Sequence, residues 1–159
     1  MEALEEMSAA QLVAHVLARY HTVHRQQLPE LLRLARKVEQ VHGEHADCPH
    51  GLAGQRSAMV QELESHMRKE ENVLFPMIVA GRGALAAVPI RVMRMEHDDH
   101  GLAVRALEKI SNGMQAPSDA CATWRALYAG LRTFRDDLLA HIDTENNLLF
   151  ERLAPAAAP

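Results

Sequence analysis

The 159-residue chain has few of the residues that would indicate a sheet, a disulfide framework or a nucleic-acid-binding surface. Aromatic residues make up 4% of it, and its two cysteines lie at unrelated positions. A formal charge of −4 gives no basic excess for nucleic acid, and no apolar run approaches the roughly 18 residues of a membrane span. No signal peptide is recognisable. We therefore expect a cytoplasmic protein with neither a nucleic-acid nor a membrane partner.

The residues that are abundant are helix formers, chiefly Ala, Leu, Met, Glu, Arg and Gln. Apolar residues recur at helical spacing in four stretches, which predicts an all-α, antiparallel up-down-up-down four-helix bundle in one domain over residues 1–159. The helices are expected at about 8–41, 52–78, 89–111 and 118–153. Ser8 is predicted to cap the first helix and Ser118 or Asp119 the fourth, and the tail from Ala154 to fray.

One short pattern occurs twice in the chain. His66 precedes Glu70 by four residues and His141 precedes Glu145 by four, and each copy continues to a Leu-Phe pair. Residues four apart lie on one face of a helix, so each copy aims an imidazole and a carboxylate at the same point. A single such pair is usually a solvated surface pair. Two copies on the second and fourth helices predict a two-metal site, and mixed nitrogen and oxygen ligands favour iron.

The third helix offers a further ligand. His97 lies level with Glu70 if the second and third helices run antiparallel across their loop. His100 lies about 60° short of a full turn from His97 and is expected to be an exposed companion. The same alignment of the third and fourth helices leaves His141 about 10 Å from the level of the site.

Two carboxylates are candidates for orienting the ligands or relaying protons. Glu62 lies one turn before His66, and Glu96 is next to His97. Histidine ligands usually donate their second N–H to a carboxylate or carbonyl, and both glutamates have that reach. A role on the exposed surface is the alternative for each.

On the first helix the site needs one more histidine. His21 and His24 lie within about a turn of the level of His66, and one of them should complete the site. His42 is about 31 Å from His21 along a continuous helix, which disfavours it as a ligand of the same cluster.

The loop after the first helix contains several metal-binding residue types. His45, Cys48 and His50 follow His42 at short spacings, which would suit a small zinc site by ligand type. More often, residues of these types in a loop simply face the solvent and bind no metal.

Several segments together resemble one family. They are Arg19-Tyr-His21-x-x-His24-Arg, Gln27-Leu-Pro-Glu-Leu31, Glu62-Leu-x-Ser-His66-Met-x-Lys-Glu70-Glu, Leu74-Phe-Pro-Met-Ile78, Glu96-His97-Asp, Ala120-Cys-x-Thr-Trp124 and Asp137-Leu-x-x-His141-Ile-x-x-Glu145-Asn-Asn. From about Ser8 to Leu153 the chain resembles the hemerythrin-like (HHE) domain of the repair-of-iron-centres (YtfE/ScdA-type) di-iron proteins.

The resemblance implies two non-haem iron ions joined by an oxo or hydroxo bridge. The residues that it implies as metal ligands are His21, His66, His97 and His141, with Glu70 and Glu145 as bridges. His42 also matches a family histidine that is sometimes considered part of the site, which conflicts with the distance argument above.

Two departures from related proteins bear on function. Repair-type members usually carry an N-terminal module with an adjacent cysteine pair, whereas this sequence begins directly at the bundle, so delivery to a client could be absent. Oxygen-carrying hemerythrins have a second histidine four residues along the third helix, where this chain has Gly101. The missing imidazole would leave a ligand position on iron open.

The resemblance implies a stress-response protein whose di-iron centre binds NO, and O2 as well, during nitrosative or oxidative stress. The implied partner is an iron–sulfur protein whose cluster is repaired, through iron donation or through NO reduction as an enzymatic activity. The alternatives are a hemerythrin that reversibly binds, stores or senses O2 without turnover, and an iron-free helical partner domain.

Overall fold

The computed structural model describes residues 3–153, in which four long helices account for most of the chain. Helix α1 comprises Ala9–Val16, Leu17–His21 and Thr22–Val41, and α2 comprises Leu52–Lys69, Glu70–Leu74 and Phe75–Val79. Helix α3 is Ala87–Ile110, and α4 comprises Ala122–Thr144, Glu145–Leu149 and Phe150–Leu153. Short 3-10 turns occupy Leu4–Glu6 and Gly83–Leu85. These residues contain no strand, and the predicted all-α fold is confirmed.

The ends of the helices agree with the sequence in one case and differ in another. Ser8 caps α1, since its hydroxyl accepts from the backbone N–H of Gln11 and the Gln11 side chain accepts from the Ser8 N–H. The prediction that Ser118 or Asp119 caps α4 is wrong, because Cys121 is the N-cap and the Asp119 carboxylate instead accepts from His45. The tail from Ala154 lies outside the described residues.

Pairs of polar contacts show that neighbouring helices run antiparallel. Arg25 of α1 contacts both Glu64 and Glu71 of α2, and His21, earlier in α1, contacts Glu71, later in α2. The α3–α4 pair has its own contacts, from His97 to Asn146 and from Arg94 to Glu151. The order along each pair reverses, as the predicted up-down-up-down bundle requires.

The α3–α4 contacts also explain why sequence spacing misplaced His141. With His97 level with Asn146, the first turns of α4 extend roughly 16 Å beyond the end of α3. The connection over residues 111–121 spans this extra height and buries Met114 against the core. Loop length alone therefore gives the wrong level for α4.

The interior consists of two apolar layers with a polar layer between them. One layer contains Leu12, Phe75 and Phe150, and the other contains Leu63, Trp124 and Phe134. On every helix the buried histidines and glutamates fall between these layers. No helix in the described part of the chain is long and apolar enough to cross a membrane.

Candidate metal centre

Each of the three composite helices contains one π-helical segment, and all three segments lie at the polar layer. Leu17–His21 ends at His21, whereas Glu70–Leu74 and Glu145–Leu149 begin at the glutamates of the repeated motif. A π-turn adds a residue to a helical turn and so changes which side chains face the bundle interior; such turns are common at functional sites. In the segments Glu70–Leu74 and Glu145–Leu149, the first glutamate and the Leu-Phe pair at the end of the segment are both buried.

Six buried side chains converge in two groups of four. One group is His21, Glu70, His141 and Glu145, and the other is His66, Glu70, His97 and Glu145. Within each group the potential ligand atoms lie within 4.8 Å of one another. Because Glu70 and Glu145 belong to both groups, the arrangement can hold two cations that share two carboxylates.

The Nε2 atoms of the four histidines face the shared carboxylates. Glu70 Oε1 is 3.1 Å from Nε2 of His21 and 3.3 Å from Nε2 of His66. Glu145 Oε1 is 3.9 Å from Nε2 of His97 and also contacts Nε2 of His141. Each helix thus contributes one imidazole, and α2 and α4 contribute the carboxylates.

The Nδ1 atoms point away from this centre, and each has an acceptor. Nδ1–H of His21 donates to Glu71 over 2.7 Å, that of His66 to Glu96 over 3.0 Å and that of His97 to Asn146 over 2.8 Å. Such bonds fix the ring orientation and the tautomer, leaving Nε2 free to bind a metal.

The fourth of these histidines, His141, is oriented by another histidine rather than by a carboxylate or an amide. Nδ1 of His141 lies 3.1 Å from Nε2 of the buried His24, and Nδ1 of His24 faces Gln27 Oε1 at 3.4 Å. Gln27 in turn donates to Asp137, which also accepts from Arg19. Nε2 of His141 faces the carboxylates, and every donor in this series of hydrogen bonds has an acceptor. The series ends at the surface, at Arg19.

The two halves of the bundle show an approximate internal symmetry around the centre. His21-x-x-His24 on α1 corresponds to His97-x-x-His100 on α3, just as the two HxxxE motifs correspond. The ring centroid of His24 lies 5.2 Å from that of His141, and the centroid of His100 lies 4.8 Å from that of His66. The prediction that His100 is exposed is therefore wrong: the face of α3 that turns inward is wide enough to bury both histidines.

His24→Leu is expected to weaken metal binding about 10–100-fold, because Nδ1–H of His141 then loses its acceptor. His24→Gln places an oxygen near the position of Nε2 and should retain most of the affinity. Competition with a coloured chelator measures both affinities, and circular dichroism checks that each variant folds. Equal affinities for the His24→Leu variant and the wild-type protein would contradict an orienting role.

Burial keeps three imidazoles of the site, those of His21, His66 and His97, in the neutral form that binds metal. Burial, reinforced by His141, lowers the pKa of His21 to about 4, and burial lowers the pKa of His66 to about 4. The pKa of His97 is lowered for the same reason. No proton need be displaced from these rings at neutral pH before a cation binds.

The two buried carboxyl groups carry negative charge that no nearby positive charge among residues 3–153 fully balances. Burial, and then the nearby Glu145, raise the pKa of Glu70 well above its usual value. Burial alone would also raise the pKa of Glu145. The nearby His141 and the hydrogen bonds that Glu145 makes outweigh burial, so the pKa of Glu145 is lowered. Two carboxyl groups this close share a proton unless a cation replaces it.

Unpaired polar atoms at the centre support a cation as the missing partner. Within residues 3–153, buried atoms without a hydrogen-bond partner include Nε2 of His66, His97 and His141, Oε2 of Glu70 and both carboxylate oxygens of Glu145. Orphaned buried polar atoms are costly, and these are all potential ligand atoms aimed at one region. The donor set, imidazole nitrogen with carboxylate oxygen, suits iron.

The remaining candidates occupy different places. Glu96 contacts His66 and also accepts from Lys69, whereas Glu62 is exposed on α2 and makes no polar side-chain contact with residues 3–153. His42 lies outside the centre, where its Nε2 is 3.2 Å from Cys121 Sγ and its ring packs against Trp124.

The loop after α1 does not assemble a second metal group in the part of the chain that the structure describes. His45 contacts Asp119 and the edge of Trp124, and Cys48 is buried. These side chains instead attach the loop to the start of α4.

Sequence reasoning missed two residues that orient the ligands, Glu71 and Asn146, and it considered His24 as a ligand rather than as a residue that orients His141. Glu71 and Asn146 directly follow the two shared glutamates, so they are equivalent positions of the repeated motif. Each bonds a histidine on the neighbouring helix rather than on its own. Extending the comparison of the two motifs by one residue would have identified both.

Comparison with known proteins agrees with this geometry. Residues 12–153 match the family model described as the hemerythrin HHE cation binding domain. Proteins named iron-sulfur cluster repair protein YtfE are 54% identical over 147 residues in Pectobacterium atrosepticum and 48% over 148 residues in Yersinia pseudotuberculosis. A probable iron-sulfur cluster repair protein of Haemophilus influenzae is 49% identical over 146 residues.

These matches cover 92–93% of the chain but only 66–67% of the length of those relatives. The family model covers the four helices from residue 12 of α1 onward and includes every residue of the two ligand groups. The chain belongs to the hemerythrin HHE cation-binding domain family.

Proposed function

We propose that the polar layer holds two iron ions and that the domain binds NO, and O2 as well, in the repair of iron–sulfur clusters under nitrosative or oxidative stress. The observation that carries this proposal is the pair of four-residue groups that share Glu70 and Glu145. A single-metal site would need only one such group. Sharing both carboxylates favours two cations close together, where two small ligands can meet.

Each part of the chain has a role in this proposal. His21 and His141 would hold one ion and His66 and His97 the other, with Glu70 and Glu145 as bridges. Two bound iron ions would supply electrons and open ligand positions for diatomic molecules, since four imidazoles and two bridging carboxylates do not complete two six-coordinate shells.

The surroundings of the centre would control orientation and water. Glu96 fixes the ring of His66, and Glu62 would act only at the surface. Phe75 stacks 5.7 Å from His21 and Phe150 stacks 5.9 Å from His97, measured between ring centroids. These aromatic rings would exclude water from the side of the centre that faces the apolar layer of Leu12, Phe75 and Phe150.

The names of the relatives support an iron–sulfur protein as the client. Iron donation to a damaged cluster and reduction of NO are the two chemistries that a di-iron centre of this kind could supply, and both would operate in the cytoplasm.

Anaerobic reconstitution tests the proposal directly. Titrating metal-free protein with Fe(II) should saturate at two ions per chain, and adding NO should then change the optical spectrum of the iron-loaded protein. Nitrous oxide in the headspace would show turnover, and its absence would show binding alone. Saturation at one ion per chain, or a spectrum that NO leaves unchanged, would refute the proposal.

Reversible O2 binding is the second candidate, favoured by the apolar layers on both sides of the centre. A carrier protects bound O2 from water and protons. Exposing the reduced protein to O2 and then removing the gas separates the two functions: a carrier recovers its reduced spectrum, whereas a stress protein stays oxidised.

A further inference from the structure

Helix α3 has a second apolar stripe, on the side opposite its buried face. Val88, Val92, Met95 and Leu102 are 63%, 40%, 63% and 60% exposed, respectively. Their spacings of four, three and seven residues are those of a coiled-coil seam, with Asp99 at the one intervening seam position. Single exposed apolar residues are ordinary, but four of them along one helix, interrupted only by Asp99, indicate a surface that packs against another helix.

Charged residues flank this stripe in a self-complementary order. Arg91 and Asp98 are exposed and seven residues apart, so they lie on the same flank of the seam. Neither has a hydrogen bond or an ion pair with any of residues 3–153. A positive and a negative side chain at equivalent heptad positions can pair reciprocally only if a second helix runs antiparallel.

We propose that α3 packs antiparallel against α3 of a second copy of this chain, forming a two-fold symmetric dimer. Val92 then lies opposite the partner's Met95, and Arg91 lies beside the partner's Asp98. The two-fold axis repeats both contacts. Asp99 falls near the end of the seam, opposite the partner's Val88, where water can reach its carboxylate.

The charges select this register among the alternatives. Displacing the helices by one heptad in either direction brings Arg91 against an arginine of the partner, and like charges at an interface are costly. A parallel pairing in register would instead place Asp99 against the partner's Asp99 inside the seam. The register centred on Val92 and Met95 pairs these two apolar residues with each other and also pairs Arg91 with the partner's Asp98.

The size of the stripe sets the expected strength of the dimer. From Val88 to Leu102 it spans about 21 Å of helix, and in the proposed register Val88, Val92 and Met95 of each copy lie against the partner's α3. This is smaller than a standard interface of about 800 Å² per partner. A dimer with a dissociation constant in the micromolar range or weaker is therefore expected.

Sedimentation velocity of the full chain over a range of concentrations tests the proposal. The wild-type protein should shift from monomer to dimer as concentration rises, and Met95→Glu should remain monomeric. Val73→Glu is the matched control, since Val73 is 51% exposed on α2 and lies outside the stripe. A wild-type protein that stays monomeric up to about 1 mM, or a dimer that survives Met95→Glu, overturns the proposal.

Charge variants test the antiparallel register. Arg91→Glu and Asp98→Arg should each weaken self-association at least about tenfold, because each creates two like-charged contacts. An equimolar mixture of the two variants should form a heterodimer, in which every flank contact again joins opposite charges. Failure of the mixture to associate excludes this register and with it the proposed dimer.

Iron content of the same samples separates this proposal from the proposed function. The dimer variants should bind as much iron as the wild-type protein, since Arg91, Met95 and Asp98 are exposed and outside both ligand groups. Loss of association with full iron content supports the dimer. If the wild-type protein itself binds no iron, that result contradicts the metal proposal and leaves the dimer proposal unchanged.

Discussion

Glu70→Leu should reduce the iron content of anaerobically reconstituted protein from two ions per chain to one or none. Glu70 belongs to both four-residue groups, so its removal takes one carboxylate from each. The imidazoles of His21 and His66, which both face Glu70 Oε1, would have no shared oxygen between them. Iron per chain, measured by elemental analysis after desalting, gives the result.

The matched control for this variant is Glu62→Leu. Glu62 lies on the same helix two turns earlier, is exposed and belongs to neither group. It should retain two ions per chain. Retention of two irons and an unchanged optical spectrum in Glu70→Leu would refute the assignment of Glu70 as a bridge.

Metal-free Glu70→Leu should also be more stable than the metal-free wild-type protein. Burial and Glu145 raise the pKa of Glu70, so in the absence of metal this carboxyl group is a cost to folding. The substitution removes this cost together with the repulsion between the two carboxyl groups. One pKa unit corresponds to about 1.4 kcal/mol, so the free energy of unfolding should rise by about 1 kcal/mol or more. Urea unfolding of the two metal-free proteins measures the difference. Lower stability for the variant would show that Glu70 serves the fold itself.

Helical periodicity is a local property, and it predicted the local parts of this site. The HxxxE spacing places His66 with Glu70, and His141 with Glu145, on one face whatever the tertiary structure. The distance from His21 to His42 along one helix similarly separates them, and His42 indeed lies beside Cys121. These inferences need only the rise of a helix per residue.

The parts that sequence reasoning did not predict depend on contacts between helices. The level of His141 relative to His97 depends on how the connection over residues 111–121 packs Met114, which its length does not reveal. Sequence propensity gives no signal for the π-turns that begin at Glu70 and Glu145, because a π-turn is stabilised by the packing around it.

Fe(II) should stabilise the folded protein substantially against heat. The unpaired buried atoms of the site acquire partners only when a cation binds, so metal binds the folded state far better than the unfolded chain. At a free concentration about 1,000 times the dissociation constant, binding contributes about 4 kcal/mol. For a chain of this size that raises the midpoint of thermal unfolding by about 8–16 °C.

Anaerobic calorimetry of metal-free protein with and without Fe(II) measures this increase, and two histidine variants locate its origin. His141→Gln removes a ligand from one group and should lose most of the increase, since its Nε2 is among the unpaired atoms. His42→Gln should keep the full increase whatever its own stability, because His42 contacts Cys121 and Trp124 away from the centre. If His42→Gln abolished the increase and His141→Gln did not, the ligand groups described above would not be the metal site.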